Sequence, residues 1–278
     1  MSASTQVIDL HTHSTASDGQ HPPAEVAARA AAAGTTTWAL TDHDTVAGQE
    51  AAADAARRLG LQYVTGIELS VFLDGKREIH VLGHFVDPSH RRLRDFEDFL
   101  ADHRRGRMDR ILQLLDGLGI HVTMDEVVRF SGGKTLGRPH VARALVAAGA
   151  ASSVKEAFDR YLGDGKPAFV GRYRLSAEDA VKMVREAGGV ATLAHPGVSH
   201  VEAGDLRRLR AMGFDGVEAR HPDHPPSLVE KYLRVAEALD LVPTAGTDYH
   251  GEAVAPDRFL GTTRMPGDDL ERLERRRP

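Results

Sequence analysis

Residues 7–14, with the sequence Val-Ile-Asp-Leu-His-Thr-His-Ser, place two histidines directly after a short apolar run. In an extended chain, side chains two positions apart leave the same face, so the imidazoles of His11 and His13 point the same way. Two such imidazoles can share one metal ion. A His-x-His triplet also occurs in ordinary loops, and its meaning therefore depends on the residues that accompany it.

Short apolar runs of this kind alternate with longer segments rich in Ala and Glu. The alternation is typical of repeated strand and helix units, which build a mainly parallel sheet or barrel. A chain of 278 residues can form one such barrel or two smaller domains. Strands are predicted at 7–10, 36–40, 63–69, 79–86, 190–194, 216–219 and 241–245.

Helices are predicted between these strands at 24–33, 48–59 and 177–187. The alternation stops between residues 88 and 170, where helical patterns at 93–118, 124–130, 139–148 and 154–162 follow one another. We therefore predict a barrel of residues 1–88 and 171–278 with a helical insertion of residues 89–170. Loops at the mouth of a barrel carry function, so the insertion is expected over the active-site rim.

Composition narrows the chemistry of the site. The chain has no cysteine and 15 histidines, which excludes disulfides and thiolate nucleophiles and leaves imidazole and carboxylate as the strong metal ligands. A net charge of −5 disfavours a protein that coats duplex nucleic acid. No apolar stretch approaches the roughly 20 residues that span a bilayer, and residues 1–7 lack the features of a signal peptide. We therefore expect a cytoplasmic protein that binds neither a membrane nor an obligate protein partner.

Residues able to bind metals recur where the predicted strands end. His80 is the most informative, because it interrupts an apolar run in which burial without a partner would be costly. The carboxyl ends of parallel strands meet at one rim of a barrel, so residues far apart in sequence are expected to meet there. The candidate ligands are His11, His13, Asp18, His43, Glu68, His80, His195, Asp248 and His250.

Imidazole and carboxylate without sulfur suit Zn, Mn or Fe(II). A carboxylate such as Glu68 has two oxygens and can bridge two ions, so we predict two or three divalent ions rather than one. Sites with two neighbouring metals recur in phosphatases and nucleases, where the ions stabilise the attacking and leaving oxygens of a displacement at phosphorus. The composition of the site therefore predicts hydrolysis of a phosphate ester.

The order and spacing of these motifs resemble the polymerase and histidinol phosphatase (PHP) family across nearly the whole chain. The motifs are Asp9-Leu10-His11-Thr12-His13-Ser14, Thr41-Asp42-His43-Asp44, Glu68, Ile79-His80-Val81-Leu82-Gly83, Ala194-His195-Pro196 and Gly246-Thr247-Asp248-Tyr249-His250. The resemblance implies an α/β fold, a distorted (β/α)7 barrel with a three-metal site at its rim. It assigns the first metal to His11, His13, Glu68 and Asp248, the second to Glu68, His80 and His195, and the third to Asp18, His43 and His250.

Within that family, the chain resembles the subgroup that hydrolyses nucleoside 3′,5′-bisphosphates and trims short RNA from its 5′ end. The helical insertion supports this likeness, as do segments 135–142 and 165–168, which look like motifs of the subgroup. The resemblance implies that Arg138 and Lys166 bind phosphate. His140 is a further candidate for substrate binding, although a histidine at a helix start can equally act as a cap.

The loop His221-Pro222-Asp223-His224 follows the sixth predicted strand, so both imidazoles are candidates for substrate contact. We expect a hydroxide generated by the metal ions to attack phosphorus. Arg138 would stabilise charge on the phosphoryl group, and His221 or a metal-bound water would protonate the leaving alkoxide.

Two rival interpretations remain open. A histidinol phosphatase would share the metal ligands but would need a carboxylate for the amine of its substrate, whereas the predicted insertion carries arginines. A metal-binding PHP module without turnover would share the ligands as well. Phosphate release with Mn²⁺ distinguishes an enzyme from such a module.

Overall fold

A computed structural model of the protein describes residues 5–130 and 136–278. The chain divides into two compact units, one formed by residues up to Asp95 and from Arg174 onwards, and the other by Phe96–Tyr173. The sequence analysis placed the corresponding boundaries at residues 89 and 170. Its prediction that the helical segment covers the active-site rim stays a prediction.

The first unit is built around a strongly curved sheet. Its strands are β1 (Thr5–Gln6), β2 (Ile8–Asp9), β3 (Thr37–Leu40), β4 (Gln62–Leu73), β5 (Arg77–His84), β6 (Leu175–Ser176), β7 (Val190–Leu193), β8 (Gly216–Arg220), β9 (Val242–Ala245) and β10 (Met265–Pro266). The main sheet has the order β2-β3-β4-β5-β7-β8-β9, while β6 pairs with β4 and β1 with β10.

The two ends of the main sheet approach each other. The backbone N–H of Leu10 donates to the carbonyl of Ala245 at 3.0 Å, and Thr12 forms a parallel bridge with Tyr249. The sheet is thus a nearly closed, distorted barrel of seven principal strands. The predicted fold class is confirmed, and the seven predicted strands correspond to β2, β3, β4, β5, β7, β8 and β9.

One strand runs against the direction expected from the sequence. β5 pairs antiparallel with both β4 and β7, whereas the other neighbours along the main sheet are parallel. The cause is the three-residue turn 74–76 between β4 and β5, in which Asp74 and Gly75 have φ angles of 54° and 66°. The expectation that every ligand lies at the carboxyl end of a parallel strand is therefore wrong for His80, which lies within β5 opposite Ser70.

Six helices lie wholly in the first unit: α1 (Pro23–Ala32), α2 (Gln49–Leu59), α7 (Ala177–Glu186), α8 (Ala203–Ala211), α9 (Pro226–Ala238) and α10 (Gly267–Glu274). The first three confirm predicted helices. α2 ends at Gly60, whose φ of 71° is the left-handed conformation that glycine adopts at helix ends. Strands β3 and β7 are buried throughout, as expected for strands covered on both faces.

The second unit is helical. α3 (Arg91–Gly117) begins in the first unit and continues into the second. It is followed by α4 (Met124–Arg129), α5 (Arg138–Ala147) and α6 (Val154–Ala157), with a π-helical turn at Phe158–Leu162. Met108, Ile111 and Leu115 on α3 pack with Val141 and Leu145 on α5 into a core. Within the described residues, no helix has the length and apolarity needed to cross a membrane.

We expect a methyl group at position 246 to destabilise the barrel. A Cβ built on Gly246 would overlap Glu218 Oε1 and the Cβ of His11, and overpacking of this kind costs about 1–3 kcal/mol. Gly106→Ala is the matched control, because Gly106 is exposed on α3 with no other atom within 4 Å of an added Cβ. That change should stabilise its helix by about 0.5–1 kcal/mol.

Urea unfolding followed by circular dichroism measures both effects. Gly246→Ala should lower the urea midpoint and Gly106→Ala should leave it unchanged or raise it. A wild-type midpoint for Gly246→Ala would show that the β9 end has room for a side chain.

Candidate metal centre

Four side chains meet at the end of β2. The Nε2 atoms of His11 and His13 lie 3.1 Å apart. They lie 3.3 and 3.1 Å from Oε2 of Glu68, and 3.4 and 3.2 Å from Oδ1 of Asp248. All four residues are buried. Two imidazoles and two carboxylates in this arrangement form one group that could hold a metal ion.

Glu68 extends the cluster in two directions. Its Oε1 lies 2.8 Å from Nδ1 of His80 and 3.3 Å from Nε2 of His195. Its Oε2 lies 3.1 Å from Nδ1 of His43 and also faces His11 and His13. The two oxygens therefore face different sets of imidazoles, as a bridging carboxylate requires.

Asp18 forms the outer part of the cluster. Its carboxylate lies 3.3 Å from Nε2 of His250, 3.9 Å from Nε2 of His43 and 3.7 Å from Nδ1 of His13. The Asp18 side chain is 57% exposed, whereas the histidines around it are largely buried. Because His13 and His43 each belong to two groups, the sets overlap more than those expected from the sequence, in which Glu68 was the shared ligand.

The donor atoms themselves fit metal ions. Buried polar atoms without a hydrogen-bond partner among the described residues include His13 Nδ1, His43 Nδ1, His195 Nδ1 and Glu68 Oε2. Such atoms are costly to bury unless another partner satisfies them. Imidazole nitrogen and carboxylate oxygen are ordinary ligands of Zn, Mn and Fe. The site thus offers imidazole nitrogens and a carboxylate oxygen that have no hydrogen-bond partner in the described part of the chain and could bind a metal ion.

The electrostatics of the cluster are dominated by Glu68. Burial raises the pKa of this carboxyl, but His43, His11 and His80 outweigh burial and hold the pKa well below its usual range. Burial lowers the pKa of His80, but Glu68 outweighs it and raises the pKa to about 10. For His43, burial dominates and lowers the pKa to about 4. Glu68 is therefore ionised within a buried set of imidazoles.

A carboxylate that the sequence analysis missed supports the ligands from behind. Glu218 on β8 is fully buried and accepts a hydrogen bond from Nδ1 of His11 at 3.1 Å and from the backbone N–H of His195 at 2.7 Å. Protonation of His11 at Nδ1 leaves Nε2 as the ligand atom. The sequence did hold a signal for Glu218, because its carboxylate interrupts the apolar run that contains Val217 and Ala219. His80 interrupts the apolar run of β5 in the same way.

Three further residues fix the segments that carry the ligands. Asp9 accepts bonds from the hydroxyl and backbone N–H of Thr247, and Asp42 accepts from Ser14. Arg258, also missed from the sequence, contacts Asp248 and donates to Asp223 at 2.8 Å. The backbone at Asp248 has a φ of 50°, a strained conformation that this network holds in place.

The two histidines of the loop after β8 differ in their hydrogen bonds. His221 is buried, and its Nδ1 accepts the backbone N–H of Asp223 at 3.1 Å. In the neutral ring the proton is then on Nε2, which lies 3.7 Å from Asp248 Oδ2 and makes no hydrogen bond within the described residues. By contrast, His224 donates from Nδ1 to Ala219 O and accepts the Gly197 N–H at Nε2. Both ring nitrogens of His224 are therefore bonded to backbone groups, which argues against the expected substrate contact.

The predicted phosphate-binding residues lie in the second unit. Arg138 donates to the carbonyl of Leu162 at 3.0 Å and to Asp164 at 3.2 Å, and its side chain is 27% exposed. Lys166 is exposed. His140 accepts the Gly137 N–H at 3.1 Å and so caps α5, the alternative left open by the sequence. Of the motif at 135–142, Thr135 lies outside the described residues.

The barrel and its cluster of imidazoles and carboxylates define a metal-dependent phosphoesterase. Comparison with known proteins gives the family: the model of the PHP domain matches residues 9–163. The chain belongs to the PHP family.

Several relatives align with most of the chain. A 3′,5′-nucleoside bisphosphate phosphatase from Chromobacterium violaceum is 36% identical over 87% of this chain and 87% of its own length. A 5′-3′ exoribonuclease from Haemophilus influenzae is 36% identical over 88% of this chain and 90% of its own length. A phosphoribosyl 1,2-cyclic phosphate 1,2-diphosphodiesterase from Eggerthella lenta is 34% identical over 88% and 95%.

Solved structures agree with the fold. A protein from Bifidobacterium adolescentis, provisionally described as a metal-dependent phosphoesterase, superposes with a TM-score of 0.75 at 29% identity, covering 99% of this chain and 98% of that one. An amidohydrolase from Chromobacterium violaceum, with bound sulfate and no metal, gives 0.74 at 32% identity over 97% and 96%.

Glu68→Gln tests the centre of the cluster. The substitution keeps the shape of the side chain but removes the charge that faces His11, His13, His43, His80 and His195. Loss of an outer partner alone lowers metal affinity about 10- to 100-fold, so we expect a loss of about 100-fold or more here, with loss of turnover. Glu50→Gln is the control, since Glu50 is exposed on α2.

Metal content after equilibration with Mn²⁺, measured by elemental analysis, decides the outcome. Full metal content and activity in Glu68→Gln would exclude a bridging role for this residue.

Proposed function

We propose that the protein hydrolyses a phosphate monoester of a nucleotide, with nucleoside 3′,5′-bisphosphates as preferred substrates and the 5′ end of short RNA as a further one. The proposal depends chiefly on the position of Glu68, a buried carboxylate whose two oxygens face imidazoles from β5 and from the loops after β3 and β7. The names of the three relatives support the substrate class, since each refers to a phosphate ester of ribose.

Two or three divalent ions, of Mn, Zn or Fe, would complete the site. His11, His13, Glu68 and Asp248 would hold the first, and Glu68 would share the second with His80 and His195, while His43 lies close enough to contribute. Asp18, His43 and His250 would hold the third. When bound, such ions lower the pKa of coordinated water and neutralise charge on the phosphoryl group. Glu218 keeps His11 oriented for this task.

His221 is proposed as the proton donor. Its Nε2 bears the proton of the neutral ring, is buried beside Asp248, and makes no hydrogen bond to another described residue. In the neutral ring this N–H can donate a hydrogen bond to a leaving oxygen or a phosphoryl oxygen without first breaking another bond. Transfer of a proton to the leaving alkoxide would take the imidazolium form of His221, which returns to the neutral ring. The bond from Asp223 N–H to Nδ1 holds the ring in that tautomer.

Arg138 and Lys166 are proposed to hold the second phosphate of a bisphosphate. Both are cations of the helical unit, and the proposed metal ligands all belong to the other unit. Arg138 uses Nη1 for its two bonds to Leu162 and Asp164, so the rest of its guanidinium can donate to phosphate. A charge-assisted contact contributes about 1.5–3 kcal/mol, which corresponds to about 10- to 150-fold in affinity.

Arg138→Ala tests the function and the role of this residue together. With Mn²⁺, the wild-type chain should release phosphate from a nucleoside 3′,5′-bisphosphate with a lower KM than from a small aryl phosphate. The substitution should raise the first KM about 10-fold or more and leave the second almost unchanged.

The control is Arg143→Ala, on the exposed face of the same helix, which should alter neither KM. Equal losses on both substrates after Arg138→Ala would mean that Arg138 contacts the phosphate being cleaved. Absence of phosphate release from every ester would contradict the proposed function.

The variants His221→Asn and His224→Asn together distinguish a role in catalysis from a role in stabilising the fold. In both, the Asn side chain can replace Nδ1 but not Nε2. His221→Asn should lower kcat by about 10²–10⁴, with metal content and thermal stability retained. His224→Asn loses the bond to Gly197 N–H and should instead destabilise the fold by about 1–3 kcal/mol.

Phosphate release and thermal unfolding, measured on the same samples, give both readouts. If His221→Asn retains wild-type kcat, the proton must come from another group.

A further inference from the structure

One face of α3 carries a row of side chains suited to nucleic acid. Phe99, His103 and Arg107 follow one another at intervals of four residues and so lie on the same side of the helix. Asp98 and Asp102 precede the two rings by one residue each, which places them about 100° away around the helix axis. The row is therefore aromatic at one end and cationic at the other.

Tyr173 completes the aromatic end of this row. Its ring centroid lies 4.9 Å from that of Phe99 and 5.8 Å from that of His103, both in edge-to-face geometry. Phe99 and Tyr173 nevertheless remain 45% and 38% exposed. The three rings thus form a partly exposed aromatic surface in the helical unit, outside its described core.

Positive charge accumulates next to this surface. Arg107 donates to the carbonyl of Val170 at 2.8 Å, which brings it to the segment that carries Arg172 and Tyr173. Burial, together with the nearby guanidinium groups of Arg138 and Arg172, lowers the pKa of Arg107 to about 10 against the opposing effect of Asp164. Arg107, Arg138 and Arg172 therefore lie near one another, with Asp164 also nearby, and their combined positive charge favours a polyanion.

We propose that Phe99, His103 and Tyr173 form a stacking surface for bases of single-stranded RNA. The inference rests on the proposed function and extends it to a substrate of several nucleotides. Aromatic rings stack on any base, and neighbouring cations hold the backbone, so binding requires no particular sequence. Each stacked base contributes about 1–3 kcal/mol, or about 5- to 150-fold in affinity.

Direct binding tests the proposal without relying on turnover. The probe is a 5′-phosphorylated adenylate oligomer of about five nucleotides with a 3′ fluorophore, titrated with protein in EDTA. Tyr173→Ala and Phe99→Ala should each weaken the Kd for the oligomer about 5-fold or more. Tyr173→Phe should retain affinity, because it keeps the ring. Adenosine 3′,5′-bisphosphate, measured by calorimetry, should bind all variants equally.

Leu114→Ala is the matched control, since it removes another exposed apolar side chain, 41% exposed, from the same helix. Unchanged affinity of Tyr173→Ala and Phe99→Ala for the oligomer would overturn the proposal, as would equal weakening for the bisphosphate. If the wild-type chain releases no phosphate from any ester but shows the expected binding pattern, the proposed hydrolysis fails and the stacking surface stands.

Discussion

The architecture of the barrel depends on one buried carboxylate. Glu68 is fully buried and yet ionised, a state that costs several kcal/mol unless partners compensate the charge. Its partners are imidazoles that come from different strands: His11, His13, His43, His80 and His195. No short stretch of chain can supply them, so the barrel must close in the correct register before the charge is compensated. The closure of the barrel that compensates the charge of Glu68 also brings together the ligand atoms that a metal centre needs.

The reversal of β5, which the turn at Asp74 and Gly75 produces, helps to satisfy this constraint. In the antiparallel pairing Glu68 lies opposite Leu82, which makes His80 its diagonal neighbour on the same face of the sheet. The distance of 2.8 Å between Glu68 Oε1 and His80 Nδ1 results directly from that register. A hairpin thereby brings a ligand to the centre of the cluster from the middle of a strand, whereas the neighbouring parallel strands provide theirs from the loops that follow them.

The seven principal strands and the gathering of the candidate ligands could be predicted from sequence, because apolar runs and the polar residues that interrupt or end them are local signals. The direction of β5 depends on two turn residues, Asp74 and Gly75, that carry no apolar pattern. Glu218 interrupts an apolar run and so left a local signal, but no local pattern reveals the partners that Glu218 and Arg258 contact elsewhere in the chain. The helices α8 and α9 were missed because charged residues obscure their apolar faces.

The division of the chain also separates two physical demands. Metal ligands must be placed within a few tenths of an ångström, and the proposed ligands all lie in the unit that contains the barrel. Recognition of phosphate and base by charge and stacking tolerates larger displacements, and the residues proposed for it, such as Arg138 and Tyr173, lie in the helical unit. On the proposed assignment, a substitution in the helical unit would change which ribose phosphate is bound while the positions of the metal ligands remain fixed.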